Sequence, residues 1–242
     1  MSIIVPAVLV RDEEECKRTL DRLSHVRGIR EVQIDVVDGR FARPASWPYA
    51  SGKEAFMARA AAHAFLPHAE DFVFEADLMV ERPDEMIGAW LSVGVTRLAV
   101  HVESTMQLSR LIADLQVLYG HEKAFAPDLL SLGLAIGIQT DPSILEPYLA
   151  HADYVQFMGI AEIGKQGQPF DNRVLARVRA FKRMHPDVPV QVDGGVTLET
   201  APLLLAAGVD RLVVGHALTE APHMQAAFDA FIALTQTHGI FN

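Results

Sequence analysis

Apolar residues recur along this chain with two alternating periods. Short runs rich in Val, Ile and Leu are separated by longer runs whose apolar residues fall three and four apart. The short runs predict eight strands: SIIVPAVL, REVQIDVVD, FVFEADLMV, TRLAVHVE, LGLAIGI, DYVQFMGI, VPVQVDGG and DRLVVGH. The longer runs predict helices. Cys16, Leu20 and Leu23 form one stripe behind Asp12, which suits an N-cap; Leu108, Leu111, Ile112 and Leu115 form another, and Val174, Leu175, Val178 and Phe181 a third. Strands alternating with helices imply right-handed βαβ units and a parallel sheet. A weak internal repeat suggests that the sheet closes: RGIREVQID, VGVTRLAVH, LAHADYVQF and AAGVDRLVVGH recur roughly sixty residues apart, the length of two βα units. The predicted fold is therefore α/β, a single (β/α)8 TIM barrel occupying residues 1–242. An open doubly wound sheet is the alternative. It usually places a glycine-rich turn after its first strand, and VPAVLVRDEEE contains none. The longest stretch without periodicity, RFARPASWPYASGKE, reads either as an ordered loop over a site (a lid or rim) or as a plain long connection.

Composition narrows the function. The chain has 242 residues, near the ~250 typical of this barrel, and half are hydrophobic. A formal net charge of -10 argues against nucleic acid and anionic membranes as partners. The one cysteine, Cys16, allows no disulfide framework and suits a reducing cytoplasm. The apolar start MSIIVPAVLV lacks a basic leader and a cleavage site and reads as a strand. No apolar run approaches the ~18 residues of a membrane span.

The chemistry lies in polar residues on strands that should be apolar on both faces. With period two, Gln33 shares a face with Asp35, Glu75 with Asp77 and Met79, His101 with Glu103, and Gln191 with Asp193. Each set is placed toward the C-terminal end of its strand, where barrels of this kind keep their active sites. Asp35 and Asp193 stand between strand residues and a turn, and are read as functional. Asp77 lies inside its strand and is read as functional or close to a metal. Asp38 and Asp141 come just past strand ends and suit turns or caps. His101 suits either a structural or a site role, and Glu103 could be exposed at the rim. Glycines follow the last two strands, in VDGGV (Gly194, Gly195) and VVGHAL (Gly215, then His216). Each precedes a helical run, the first starting at Thr197, as a phosphate site requires. Lys165, in GIAEIGKQGQPF, suits a loop closing on the same anion.

PAVL, QIDVVDGRF, ADLMVERP, VHVEST, GKQGQPF, QVDGGV and VVGHAL stand in the order and spacing of ribulose-phosphate 3-epimerase, and the chain resembles that family over essentially its whole length. The resemblance implies a barrel of the ribulose-phosphate-binding type. It also implies an isomerase in which Asp35 and Asp193 move the proton at C3 of a phosphorylated ketose of pentose phosphate type. Met79 would pack near the reacting carbons, and Gly194, Gly195, Gly215 and His216 would hold phosphate. The family's metal is held by two histidines and two aspartates. Here the histidine positions are Gln33 and Asp77. Ala7 replaces the family's first-strand serine, AEIGKQGQ replaces its NPGFGGQ loop, and Gly215-His216 replaces its GS. A set of Asp35, Asp77 and Asp193 would suit Mg²⁺ or Mn²⁺ better than zinc. Alternatively no metal is held, with a protonated acid or a cationic His101 relieving the charge; both remain open here. The partners expected are a phosphorylated sugar and further copies of the chain in a homo-oligomer. Two alternative functions stay open: an aldolase or decarboxylase of sugar phosphates, and a non-catalytic sugar-phosphate-binding paralogue. A Schiff-base aldolase would want a strand lysine, and the eight runs contain none.

Overall fold

The computed structural model describes residues 3–119 and 130–238; Ser2, at the head of the first predicted strand, lies outside them. Eight parallel strands close into a barrel in chain order: β1 (Ile3–Val8), β2 (Glu31–Val37), β3 (Val73–Met79), β4 (Val95–His101), β5 (Ser131–Ile136), β6 (Tyr154–Met158), β7 (Val190–Asp193) and β8 (Arg211–Val214), with β8 pairing back onto β1. The internal repeat leads into β2, β4, β6 and β8. In three of its copies a glycine with positive φ lies between helix and strand: Gly28, Gly94 and Gly208.

The helices are α1 (Glu13–Ser24), α2 (Lys53–Ala61), α3 (Ile87–Ser92), α4 (Leu108–Tyr119), α5 (Arg173–Met184), α6 (Ala201–Leu205), α7 (His216–Thr219) and α8 (Met224–His238). Asp12 caps α1 by accepting the N–H of Glu15, and Glu13, Glu14 and Glu15 in the first turn complement the helix dipole. The stripes predicted for α1 and α4 are buried; on α5, Leu175 is only half-buried, while Val174, Val178 and Phe181 are fully covered. The helical run expected from Thr197 begins instead at Ala201. The Thr200 hydroxyl accepts from Thr197 N and donates to the Gly195 carbonyl, closing a turn before the helix.

The two faces of the sheet differ sharply. Outward residues such as Val32, Ile34 and Val36 of β2, or Leu132, Leu134 and Ile136 of β5, join one large apolar core beneath the helices. The inward set is mostly polar and bonds across the barrel between strands that are not neighbours: Gln33 to Asp193, Gln156 to Asp77, and Gln191 to Glu75. This explains polar residues on strands covered on both faces: the interior is a hydrogen-bonded network, not an apolar plug, with Asp77 Oδ1 and the His101 ring nitrogens as its unbonded atoms.

The network also corrects the expected placement of its members. Glu75 does not lie at the strand ends. It pairs with Gln33 on β2 and Arg97 on β4, two residues below Asp77, and is fully buried. There it accepts from Arg97 Nε at 2.9 Å and lies 3.4 Å from Arg211; Arg211 also bonds Glu31 at 2.6 Å. These four charges form a floor toward the N-terminal end of the barrel. The Tyr154 ring covers the floor, with the Arg97 guanidinium 4.6 Å from its centroid.

The long loop after β2 is anchored, not a free lid. The Ser46 hydroxyl donates to Asp35 O and accepts from Val37 N, and Trp47 is buried edge-on against Phe56 and Trp90. Its rim portion carries Phe41, whose ring lies 5.3 Å from that of His101.

Candidate active site

Asp35 lies on the inward row of β2, one step before Val37, and Asp193 ends that of β7, across the barrel from it. In-register pairing sets Asp77 beside Asp35, and Met158 of β6 beside Asp193. Asp35, Asp77 and Asp193 bring carboxylate oxygens within 4.8 Å of one another, all buried. A cavity of about 210 Å³ opens above them. Its wall includes Asp35, Asp193, Met79 and Met158, together with Gly194–Thr197, Gly215–Ala217 and the loop residues Gly164–Gln168. Asp77 and His101 lie deeper, fully buried and outside that wall. Every site residue read from the sequence therefore converges here, with Asp77 and His101 behind the cavity and the rest lining it.

The glycines of β7's turn are there for space as well as conformation. Gly194 and Gly195 have φ of +99° and +67°, and a Cβ on either would lie 2.7 Å from Ile160 or 2.8 Å from the Phe170 backbone. The turn is thereby packed tight at the cavity wall. At β8, the Gln166 side chain approaches so closely that a Cβ on Gly215 would meet its amide nitrogen at 2.8 Å; that nitrogen donates to Ala7 O. Lys165 pairs with Glu162 at 2.8 Å.

Electrostatics follow from burial. Loss of water, then the neighbouring Asp193 and Asp77 charges, raise Asp35 well above the usual carboxylate range. Burial and Asp77 push Asp193 up to about 7, against the pull of the Gln33 amide and His101. For His101, burial is the strongest single influence and favours the neutral ring. Asp77, with Glu103 and Asp193, outweighs it and holds the imidazole above its ordinary value. His101 Nε2 stands 3.2 Å from Asp77 Oδ1 without hydrogen-bond geometry, leaving that oxygen and both ring nitrogens unbonded.

Three close carboxylates, one with an unbonded buried oxygen, form a donor set that could hold a hard divalent cation. Around them, Asp38 ties the rim together: it accepts from Arg40 N and Phe41 N, and its other oxygen accepts from Glu81 N. Asp141 accepts from Ser143 N, and Glu103 from Gly137 N. Asp38 and Asp141 thus have the turn and cap roles read for them.

A model of the ribulose-phosphate 3 epimerase family matches residues 3–219. The chain belongs to that family. It is 26% identical over 235 residues to the ribulose-phosphate 3-epimerase of Aquifex aeolicus, a match covering 93% of each chain. With the ribulose-phosphate 3-epimerase of Mycobacterium bovis it shares 28% over 236 residues, 94% of this chain and 90% of that one. A solved 3-hexulose-6-phosphate synthase superposes over 97% of this chain and 99% of its own with a TM-score of 0.64 at 19% identity, a likeness of fold.

Gln33 and Asp77 stand where the resemblance placed the family's metal histidines. Gln33 directs Nε2 at Asp35 Oδ1 (2.9 Å) and Asp193 Oδ2 (3.2 Å), bridging the two acids from below. Four site-related residues escaped the sequence reading: Gln156, whose Nε2 donates to Asp77 Oδ2 at 2.8 Å, Met158 on the wall, and Arg97 and Arg211 in the floor. A polar residue within the strand was the available signal for Gln156, but its partner could be read only from the closed barrel.

Proposed function

We propose that the protein epimerises a phosphorylated ketose of the pentose phosphate type at C3, with Asp35 and Asp193 as the acid/base pair. The observation that carries this reading is that these two are the only carboxyl groups on the cavity wall among the described residues, and both are pushed toward neutrality. Inversion beside a carbonyl needs a base on one face of the carbon and an acid on the other. A carboxyl near neutral pKa can hold or release the proton at working pH. One aspartate takes the C3 proton, and the other delivers a proton to the opposite face. Met79 and Met158 offer apolar surface to the carbon chain, and the Gly194–Thr197 and Gly215–Ala217 backbone meets the phosphate, with His216 beside it.

Asp35, Asp77 and Asp193 would hold a divalent cation, Mg²⁺ or Mn²⁺ in preference to Zn²⁺ because every donor is oxygen. When bound, such an ion supplies positive charge for the oxygen that becomes negative as the proton leaves. Schiff-base aldol chemistry lacks a strand lysine, and a purely binding role leaves the opposed buried acids without a purpose.

The test is proton exchange at C3 in D2O with ribulose 5-phosphate. Asp35→Asn and Asp193→Asn should each abolish it. Unchanged exchange in either variant removes that residue from the chemistry.

A further inference from the structure

The glutamines below the acids have a direction, and the floor of the barrel imposes it. An arginine side chain has five N–H donors and no acceptor. Arg211 Nε donates to Gln191 Oε1 at 2.6 Å, so the amide nitrogen of Gln191 must point away from the arginine. From there Nε2 lies near three oxygens, Gln33 Oε1 at 3.1 Å, Gln156 Oε1 at 2.7 Å and Glu75 Oε1, and shares its two hydrogens among them. With their oxygens turned down toward this shared donor, Gln33 and Gln156 point nitrogen upward. Gln33 Nε2 meets Asp35 and Asp193, and Gln156 Nε2 meets Asp77. All three glutamines are fully buried, so no water competes for these groups.

We infer that Arg211 and Gln191 are positioning residues for the acids: they fix the amide direction of Gln33 and Gln156, so that Asp35, Asp193 and Asp77 each receive an N–H from below on one oxygen. A glutamine without this anchor could rotate and offer its oxygen to a carboxyl. An anchored one offers no acceptor, so a proton on Asp35 or Asp193 finds none in these amides. Glu31, Glu75 and Arg97 complete the arrangement by holding Arg211: Glu31 accepts from its Nη2 at 2.6 Å, Glu75 lies 3.4 Å away, and Arg97 shares Glu75. The inference rests on the proposed roles of Asp35 and Asp193 for its catalytic consequence, but not for its geometry.

The side-chain amide hydrogens of Gln33 and Gln156, followed by NMR without substrate, test the relay. The signals are assigned by their loss in Gln33→Met and Gln156→Met. In the wild-type protein both pairs should exchange slowly with solvent. Gln191→Met removes the anchor at nearly constant volume. Gln191→Glu keeps the acceptor for Arg211 but cannot donate, and serves if the first variant does not fold. Either should speed exchange of both pairs by about tenfold or more while the backbone amides of the strands stay as protected as before. Arg211→Lys, still a pure donor, should retain the slow pairs. With ribulose 5-phosphate, the Gln191 variants should lower kcat by about tenfold or more and leave KM within about twofold, because the phosphate cradle is untouched. Fast exchange in the wild type, or unchanged exchange in the Gln191 variants, overturns the relay. A raised KM at constant kcat overturns its role in positioning. If the wild-type protein shows no C3 exchange at all, the functional reading fails, while the amide signals still decide the relay.

Discussion

Asp193 shows what the site costs at the scale of one residue. Its folded value of about 7 stands above the ordinary 3.8, so between those values the folded protein holds a proton that the unfolded chain has released. Stability therefore falls as pH rises through that window, and the loss is complete above about pH 7. In chelator-treated protein at pH 8, Asp193→Asn should raise Tm, at about 2–4 °C for each kcal/mol relieved, and the gain should vanish near pH 4. A Tm that does not rise at pH 8 would show that the buried charge is already compensated. Asp35 and Asp193 were legible in the sequence because a carboxylate on the period-two face of a buried strand is hard to explain otherwise. Gln156, Arg97 and Arg211 were not. Their meaning comes from bonds between strands far apart in sequence, such as Gln156 to Gln191 and Arg211 to Glu31, and those depend on how the barrel closes.

Among elements, the strands and the stripes of α1 and α4 follow the hydrophobic pattern closely, since each buries one apolar face under one core. The loop after β2 did not yield to the same reading. Its Pro, Gly and aromatic content suits a lid, yet Trp47 packs against Phe56 and Trp90, and Ser46 stitches the loop to the backbone of Asp35 and Val37. Composition alone does not distinguish an aromatic that covers a site from one that fills a core. Trp47→Ala should therefore behave as a core truncation, costing about 3–5 kcal/mol in denaturant unfolding. A loss below about 1 kcal/mol would return the loop to the rim. Because the loop carries Ser46, whose hydroxyl donates to Asp35 O, the same packing steadies the backbone of Asp35.

For the whole molecule, closure was legible in the repeat that leads into every even-numbered strand, and the family in motifs spread from β1 to β8. Closure also gathers three acids from β2, β3 and β7 around one point. No helix among the described residues is long and apolar enough to cross a membrane. If the acids hold a cation, adding Mn²⁺ to chelator-treated protein should raise Tm, and Asp77→Asn should remove most of that rise. An equal rise in both proteins would place the ion elsewhere. The central claim is the exchange of one proton at C3, and NMR of ribulose 5-phosphate incubated with the wild-type protein in D2O addresses it most directly. A single solvent deuteron should appear at C3, in both the recovered ketose and its epimer, with C1 unlabelled. A C3 position that stays protonated, or label at C1 alone, would contradict it.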